Sequence, residues 1–143
     1  MGNFYGTYNR TLDNKNRLQL PSKLLKDLPS KLYILKGFEG CVSLFLPTDF
    51  DAFMKKLESL SYFKQAARAY LRLASSSVVE LEIDSHGRIT FPVQVKEKYG
   101  LNTEVTLIGV QDHIELWDSE KYLSYEKENS ENFEALAESL ESL

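Results

Sequence analysis

Leu12-Asp13-Asn14-Lys15-Asn16-Arg17-Leu18-Gln19-Leu20-Pro21 lines up without a gap on Ile83-Asp84-Ser85-His86-Gly87-Arg88-Ile89-Thr90-Phe91-Pro92. Seven positions coincide: an apolar residue, an Asp, an Arg four places on, the three residues of an apolar-polar-apolar alternation, and a Pro. Downstream, Gly37-Phe38-Glu39-Gly40-Cys41-Val42-Ser43-Leu44-Phe45 matches Gly109-Val110-Gln111-Asp112-His113-Ile114-Glu115-Leu116-Trp117, with the offset drifting from 71 to 72. Self-similarity of this kind marks one supersecondary unit used twice. Each copy is roughly 45 to 50 residues, too small to bury a comfortable core alone, so the two copies are expected to complete one another's core. The expected fold class is α+β, a tandem duplication of a β-hairpin/short-helix/β-hairpin unit with flanking helices. The chain divides into a first repeat over 1–47, a connecting helical segment over 48–77, a second repeat over 78–125 and an acidic tail over 126–143.

Within each unit the pattern reads strand, turn, strand, short helix, hairpin and longer helix. Leu18-Gln19-Leu20 and Ile89-Thr90-Phe91 alternate as half-buried strands, and Pro21 and Pro92 end them. Ser22 is placed to cap a short helix carrying Leu24, Leu25 and Leu28, and Gly100 to stop its counterpart after Tyr99. Leu32-Tyr33-Ile34-Leu35 and Val105-Thr106-Leu107-Ile108 have strand length, with turns expected at Glu39-Gly40 and Gln111-Asp112. Thr48 and Asp51 resemble a capping box ahead of Phe50, Phe53, Met54, Leu57 and Leu60. A second helix fits Phe63, Ala66, Ala67, Tyr70, Leu73 and Ala74, and both apolar stripes are expected to be core. Ser75-Ser76-Ser77 is the expected joint between the copies, and Phe133, Leu136, Ala137, Leu140 and Leu143 form an apolar stripe in the tail, either a subunit contact or a frayed helix.

Composition narrows the function classes. No apolar run approaches membrane-span length and the N-terminus lacks a leader pattern, so a cytoplasmic protein with no membrane contact is expected. A lone cysteine, Cys41, forms no internal disulfide and supplies no cysteine-based metal site by itself. The net charge of −4 counts against nucleic acid at first sight. Yet Asp118–Leu143 holds eight acids against two bases, while Met1–Gly37 holds seven bases against two acids. Such segregation allows a basic face, although a solvated lysine surface would have the same composition.

The repeated Asp-x-x-x-Arg element carries the chemistry. Gly87 before Arg88 suits a tight turn that needs positive φ, and Asn16 before Arg17 is the residue type that best tolerates the same conformation. Such turns send Arg17 and Arg88 out from strand starts, with Asp13 and Asp84 orienting the guanidinium groups by charge-assisted hydrogen bonds. The plain alternative is a pair that only staples a β-turn. An Arg fork on a two-stranded ribbon can bond guanine O6 and N7 in the major groove, whereas Lys15 and Arg10 suit phosphate. The candidate DNA-binding residues are therefore Arg17, Lys15, Arg88 and Arg10, and the turn-orienting residues Asp13, Asp84, Asn16 and Gly87. No catalytic constellation, metal site, cofactor or small-molecule substrate is expected. His113 aligns with Cys41, which leaves a metal pair across a pseudo-twofold axis as one alternative, and Asp13 with Asp84 as hydrolytic carboxylates as another.

The two Asp-x-x-x-Arg…Pro blocks, separated by a helix containing Phe63-Lys64-Gln65-Ala66-Ala67-Arg68-Ala69-Tyr70-Leu71-Arg72, resemble the MraZ transcriptional regulators over about residues 1 to 125. The resemblance implies an AbrB-like swapped-hairpin pseudo-dimer that assembles into an octamer-like homo-oligomeric ring. It also implies binding of short direct repeats in double-stranded DNA upstream of the cell-division and cell-wall operon, with nucleoid association. Asn16 departs from the glycine usual in the family. The rival reading is a protein-partner-binding assembly or antitoxin-like module on the same fold, with the acidic tail as its contact.

Overall fold

Alternation along the longer strands fixes the layering of the molecule. Leu32 and Ile34 face one side with Val42 and Leu44, while Leu35 and Phe45 face the other, so each hairpin buries both of its faces. The computed structural model describes residues 3–25 and 29–140, apart from the side chain of Leu24; Leu28 and Leu143 of the expected stripes lie outside them. In chain order the elements are β1 (Thr7–Thr11), β2 (Arg17–Gln19), a 3₁₀ helix (Ser22–Leu25), β3 (Lys31–Lys36), β4 (Val42–Phe45), α1 (Pro47–Glu58) and α2 (Gln65–Ser76). They continue with β5 (Val79–Glu82), β6 (Arg88–Thr90), α3 (Val93–Lys98), β7 (Glu104–Val110), β8 (His113–Asp118), α4 (Ser119–Ser130) and α5 (Phe133–Glu138). The fold is mixed α+β with antiparallel pairing throughout.

Six strands form one sheet in the order β1-β7-β8-β4-β3-β5, and β2 pairs β6 as a separate two-stranded ribbon. The order reads the same when the aligned elements are exchanged: β1 joins the β7–β8 hairpin and β5 joins the β3–β4 hairpin. The registers are symmetric too. Leu18 faces Ile89 at the centre of the ribbon and Ser43 faces Glu115 at the centre of the sheet, and each pair consists of residues that the alignment equates. The drift in offset has a place in the hairpins: the first has a three-residue tip, closed by Gly37 N–H donating to Cys41 O at 3.0 Å, and the second a two-residue tip between Val110 and His113.

The larger core lies between ribbon and sheet, where Leu18 and Ile89 are fully buried and Phe91 nearly so. Burying such a side chain contributes about 1.5–3 kcal/mol, so Ile89→Ala or Leu18→Ala would weaken the join. On the opposite face, α1 and α2 cover β3 and β4 around Leu35, Phe45 and Ala74, with Tyr33 stacked 4.1 Å from Phe50 between centroids. α4 covers β7 and β8 through Trp117, Tyr122 and Tyr125.

Several local expectations are corrected. The ribbon strands begin one residue earlier than expected, at Arg17 and Arg88. Ser22 is the first residue of the 3₁₀ helix rather than a residue ahead of it. Helix α1 starts at Pro47 behind Leu46, without a side-chain cap, so Thr48 and Asp51 do not make a capping box; proline's fixed φ suits the first helical position. At the expected joint Ser75 and Ser76 end α2, and Ser77 is buried, donates to Ala74 O at 2.7 Å and accepts Lys36 N–H at 2.8 Å. The helical stripes are core only in part: Leu60 and Phe63 lie beyond the helices, Phe63 is 97% exposed, and Leu73 is exposed on α2. Helical spacing places residues on one face without saying whether the same chain covers it. Among the described residues no helix is long and apolar enough to cross a membrane.

Candidate nucleic-acid interface

Each Asp-x-x-x-Arg turn is closed by one carboxylate. Asp13 accepts the Lys15 and Arg17 backbone N–H groups on Oδ1 at 2.9 Å each and Arg17 Nε–H on Oδ2 at 2.6 Å. Asp84 repeats the pattern with His86 and Arg88 backbone N–H groups at 2.9 Å each and Arg88 Nε–H at 3.0 Å. Asn16 N–H donates to Asp13 O and Gly87 N–H to Asp84 O, both at 3.0 Å. The chain then turns through φ of 60° at Asn16 and 77° at Gly87, the left-handed region that glycine enters freely and asparagine at small cost.

The ribbon brings the two turns together. Arg17 pairs with Thr90 and Gln19 with Arg88, around the buried Leu18 and Ile89. Because side chains alternate, Arg17, Gln19, Arg88 and Thr90 share the outer face, and the two arginines are diagonal neighbours roughly 7–8 Å apart. Each strand also ends on the other turn, Leu20 N–H donating to Gly87 O at 3.0 Å and Phe91 N–H to Asn16 O at 2.9 Å. Nε of each guanidinium is held by its Asp, and among the described residues no hydrogen bond engages the two terminal nitrogens. The side chains of Arg17 and Arg88 are 29% and 28% exposed, so each is half-buried and still accessible.

Electrostatics reinforce that geometry. Hydrogen bonding from the Arg17 backbone, followed by opposition from desolvation and then by the guanidinium and Lys15, lowers the Asp13 carboxyl to about 2. Asp84 is lowered for the same leading reason, the Arg88 backbone N–H. Both stay ionised through neutral pH and hold the arginines as ion pairs rather than as neutral contacts.

Lys15 lies exposed on the first turn. Arg10 stands apart on β1 at the end of the large sheet, its Nη1–H donating to Asn9 O at 2.9 Å and its guanidinium 5.7 Å from the Tyr8 ring centre. The ribbon does not carry it. Two residues that the sequence reading did not assign to the site hold the turns from outside. Gln19 Nε2–H donates to His86 O at 2.9 Å and Gly87 O at 3.3 Å, and Lys96 Nζ–H donates to Asn16 Oδ1 at 3.1 Å. Gln19 is the polar member of the repeated apolar-polar-apolar triplet, whose outward direction was the only available signal.

The remaining titratable cluster sits in the large sheet. His113 bonds Asp112 Oδ1 at 2.8 Å and lies 3.9 Å from Glu115; burial opposes its protonation, but the hydrogen bonds to Glu115 and Asp112 prevail and raise it. Burial foremost, with Glu115 adding, pushes the Cys41 thiol up to about 12, which leaves it a protonated packing group. Among the described residues no group of three His, Cys, Asp or Glu side chains is placed to hold a metal ion.

Comparison with known proteins matches the family described as "MraZ protein, putative antitoxin-like" over residues 3–73 and 76–142. The chain is 36% identical over 140 residues to the transcriptional regulator MraZ of Lactobacillus helveticus (strain DPC 4571), covering 98% of each. It is 38% identical over 138 residues to the transcriptional regulator MraZ of Mycoplasmoides gallisepticum, covering 96% of this chain and 97% of the relative.

Proposed function

The chain belongs to the MraZ family, and from that premise we propose that it is a sequence-specific DNA-binding transcriptional regulator that is not an enzyme. The observation that carries the reading is the ribbon: two arginines on one outer face, each held at Nε by its own carboxylate and each with its terminal nitrogens unengaged among the described residues. A two-stranded ribbon fits a major groove about 12 Å wide, and a guanidinium fork matches guanine O6 and N7. Arg17 and Arg88 then read bases or grip phosphate, Lys15 positions the first turn on the backbone, and Arg10 adds a phosphate contact from β1. Naming of the relatives as transcriptional regulators supports this reading.

The finer assignments belong to the same proposal. The duplicated unit is a swapped-hairpin pseudo-dimer of the AbrB type, supported by the palindromic strand order, the self-equivalent pairs Leu18–Ile89 and Ser43–Glu115, and the two stretches matched by the family. Its repeats occupy 1–47 and 78–125, with the connecting helices and the acidic tail between and after them. Copies assemble into a homo-oligomeric ring in the cytoplasm, at the nucleoid, and bind short direct repeats upstream of the cell-division and cell-wall operon. Repeats near one helical turn apart, ~10 base pairs, would meet equivalent faces of neighbouring copies, and weak contacts from a ring add without a strongly basic monomer. Exposed Leu60, Tyr62, Phe63 and Leu73 beside α1 and α2, and exposed Phe133, Leu136 and Leu140 in the tail, offer apolar surface for assembly.

That same tail favours the second reading, capture of a protein partner. Fluorescence anisotropy of the upstream duplex against a scrambled one, with light scattering for oligomer mass, decides between them. Preference for the upstream duplex supports the regulator; equal binding of both duplexes, with partner capture lost on truncation after Glu128, supports the alternative.

A further inference from the structure

The two turns are held from outside by different chemistry, in each instance by the opposite half of the chain. At the 71-residue offset Leu25 corresponds to Lys96, just as Asn16 corresponds to Gly87. Leu25 lies against the second turn so closely that a Cβ on Gly87 would sit 2.5 Å from its Cδ1 and 3.3 Å from Gln19 Nε2. At the first turn the leucine is replaced by Lys96, whose ammonium reaches the Asn16 side chain at 3.1 Å. Glycine therefore goes with leucine, and asparagine with lysine. The asparagine is accommodated because its side-chain oxygen is an acceptor for a cation where a methyl group would otherwise crowd it.

The exchange changes charge as well as packing. An ammonium has three donors, and Asn16 takes one without neutralising it. Among the described residues Lys96 makes no ion pair. The residues that form or bond the first turn are thus Lys15, Arg17 and Lys96 against Asp13, whereas those of the second are Arg88 against Asp84; exposed Glu97 and Lys23 lie on the flanking helices. We propose that Lys96, from the second half of the chain, completes a backbone-phosphate site at the first turn, so that this turn adds a phosphate anchor beside its arginine that the second turn lacks. This rests on the DNA-binding reading above. The asymmetry orients a pseudo-symmetric ribbon on a directional sequence.

The test is anisotropy with the upstream duplex and a scrambled duplex across a salt series, on the full-length protein. Losing one phosphate contact lowers the slope of log Kobs against log salt by about 0.9 in magnitude. Lys96→Met and Lys96→Gln are expected to show that loss on both duplexes with the specificity ratio retained, and Lys96→Arg is expected to keep the slope. A lysine that only props Asn16 predicts something different: Asn16→Gly needs no prop, so Lys96→Met would be silent in that background. Persistence of the slope loss in Asn16→Gly supports the phosphate site, and silence there overturns it. Wild type that binds neither duplex overturns the DNA reading and this inference together. Wild-type binding that needs Arg17 but keeps its full slope in Lys96→Met overturns this inference alone.

Discussion

The first and second turns share one hydrogen-bond plan and differ in everything outside it. Both are closed by an Asp that takes two backbone N–H groups and an arginine Nε, and both pass through a left-handed residue. The second turn favours glycine, because its φ is 77° and a Cβ would push against the Leu25 and Gln19 side chains; the first holds asparagine, whose side chain Lys96 bonds. The difference teaches that the local motif sets the geometry of the arginine, while the partner supplied by the other half of the chain sets which residue closes the turn and how much charge it carries.

The largest effect should come from the arginines. Removing either fork costs a contact worth about 1–3 kcal/mol, roughly 5- to 150-fold in specific affinity, and the surplus charge at the first turn predicts that Arg17→Ala loses more than Arg88→Ala at low salt. Equal losses at every salt concentration would break the asymmetry. Next comes Gly87→Ala, which should lower thermal stability by more than about 1 kcal/mol, since it strains φ and meets Leu25. Adding Leu25→Ala should return the steric part only; a Gly87→Ala protein melting with wild type would show that the crowding is immaterial.

Acid sharpens the comparison further. Asp13 titrates near 2 when folded against an ordinary 3.8, so its stabilising contribution is complete above pH 3.8 and is lost as pH falls through about 2. Asp84, also depressed, follows the same direction. The Lys15 and Arg17 amide resonances should therefore hold their positions down to about pH 2; movement centred at the ordinary carboxylate value would mean that the hydrogen bonds are not kept in solution. Asn16→Gly is the smallest change, within about 1 kcal/mol of wild type by calorimetry, because relief of φ is offset by greater freedom of the unfolded chain. A larger destabilisation would show that the Lys96 bond is a main support of the turn.

Legibility in the sequence followed the range of the interaction. The turns at Asp13–Arg17 and Asp84–Arg88, the hairpin tips at Glu39 and Gln111, and the stop at Gly100 are local, so residue type at fixed spacing discloses them. The pairing of β1 with β7 and β5 with β3 joins distant segments and leaves no periodic trace. Phe63 and Leu73 have the spacing of core residues and face outward instead, since a stripe meant for a neighbour and one meant for the interior have the same period. The reading placed both arginines on one duplicated motif but missed Gln19 and Lys96, whose partners lie 67 to 80 residues away along the chain.

The central claim is that the two carboxylate-held arginines form one DNA-reading face. It is tested most directly by the ratio of affinities for the upstream and scrambled duplexes in wild type, Arg17→Ala and Arg88→Ala, with fold and oligomer mass checked in parallel. The account predicts a ratio well above one in wild type that falls toward one in each variant while the oligomer stays intact. A wild-type ratio of one, or an unchanged ratio in both variants, would contradict it.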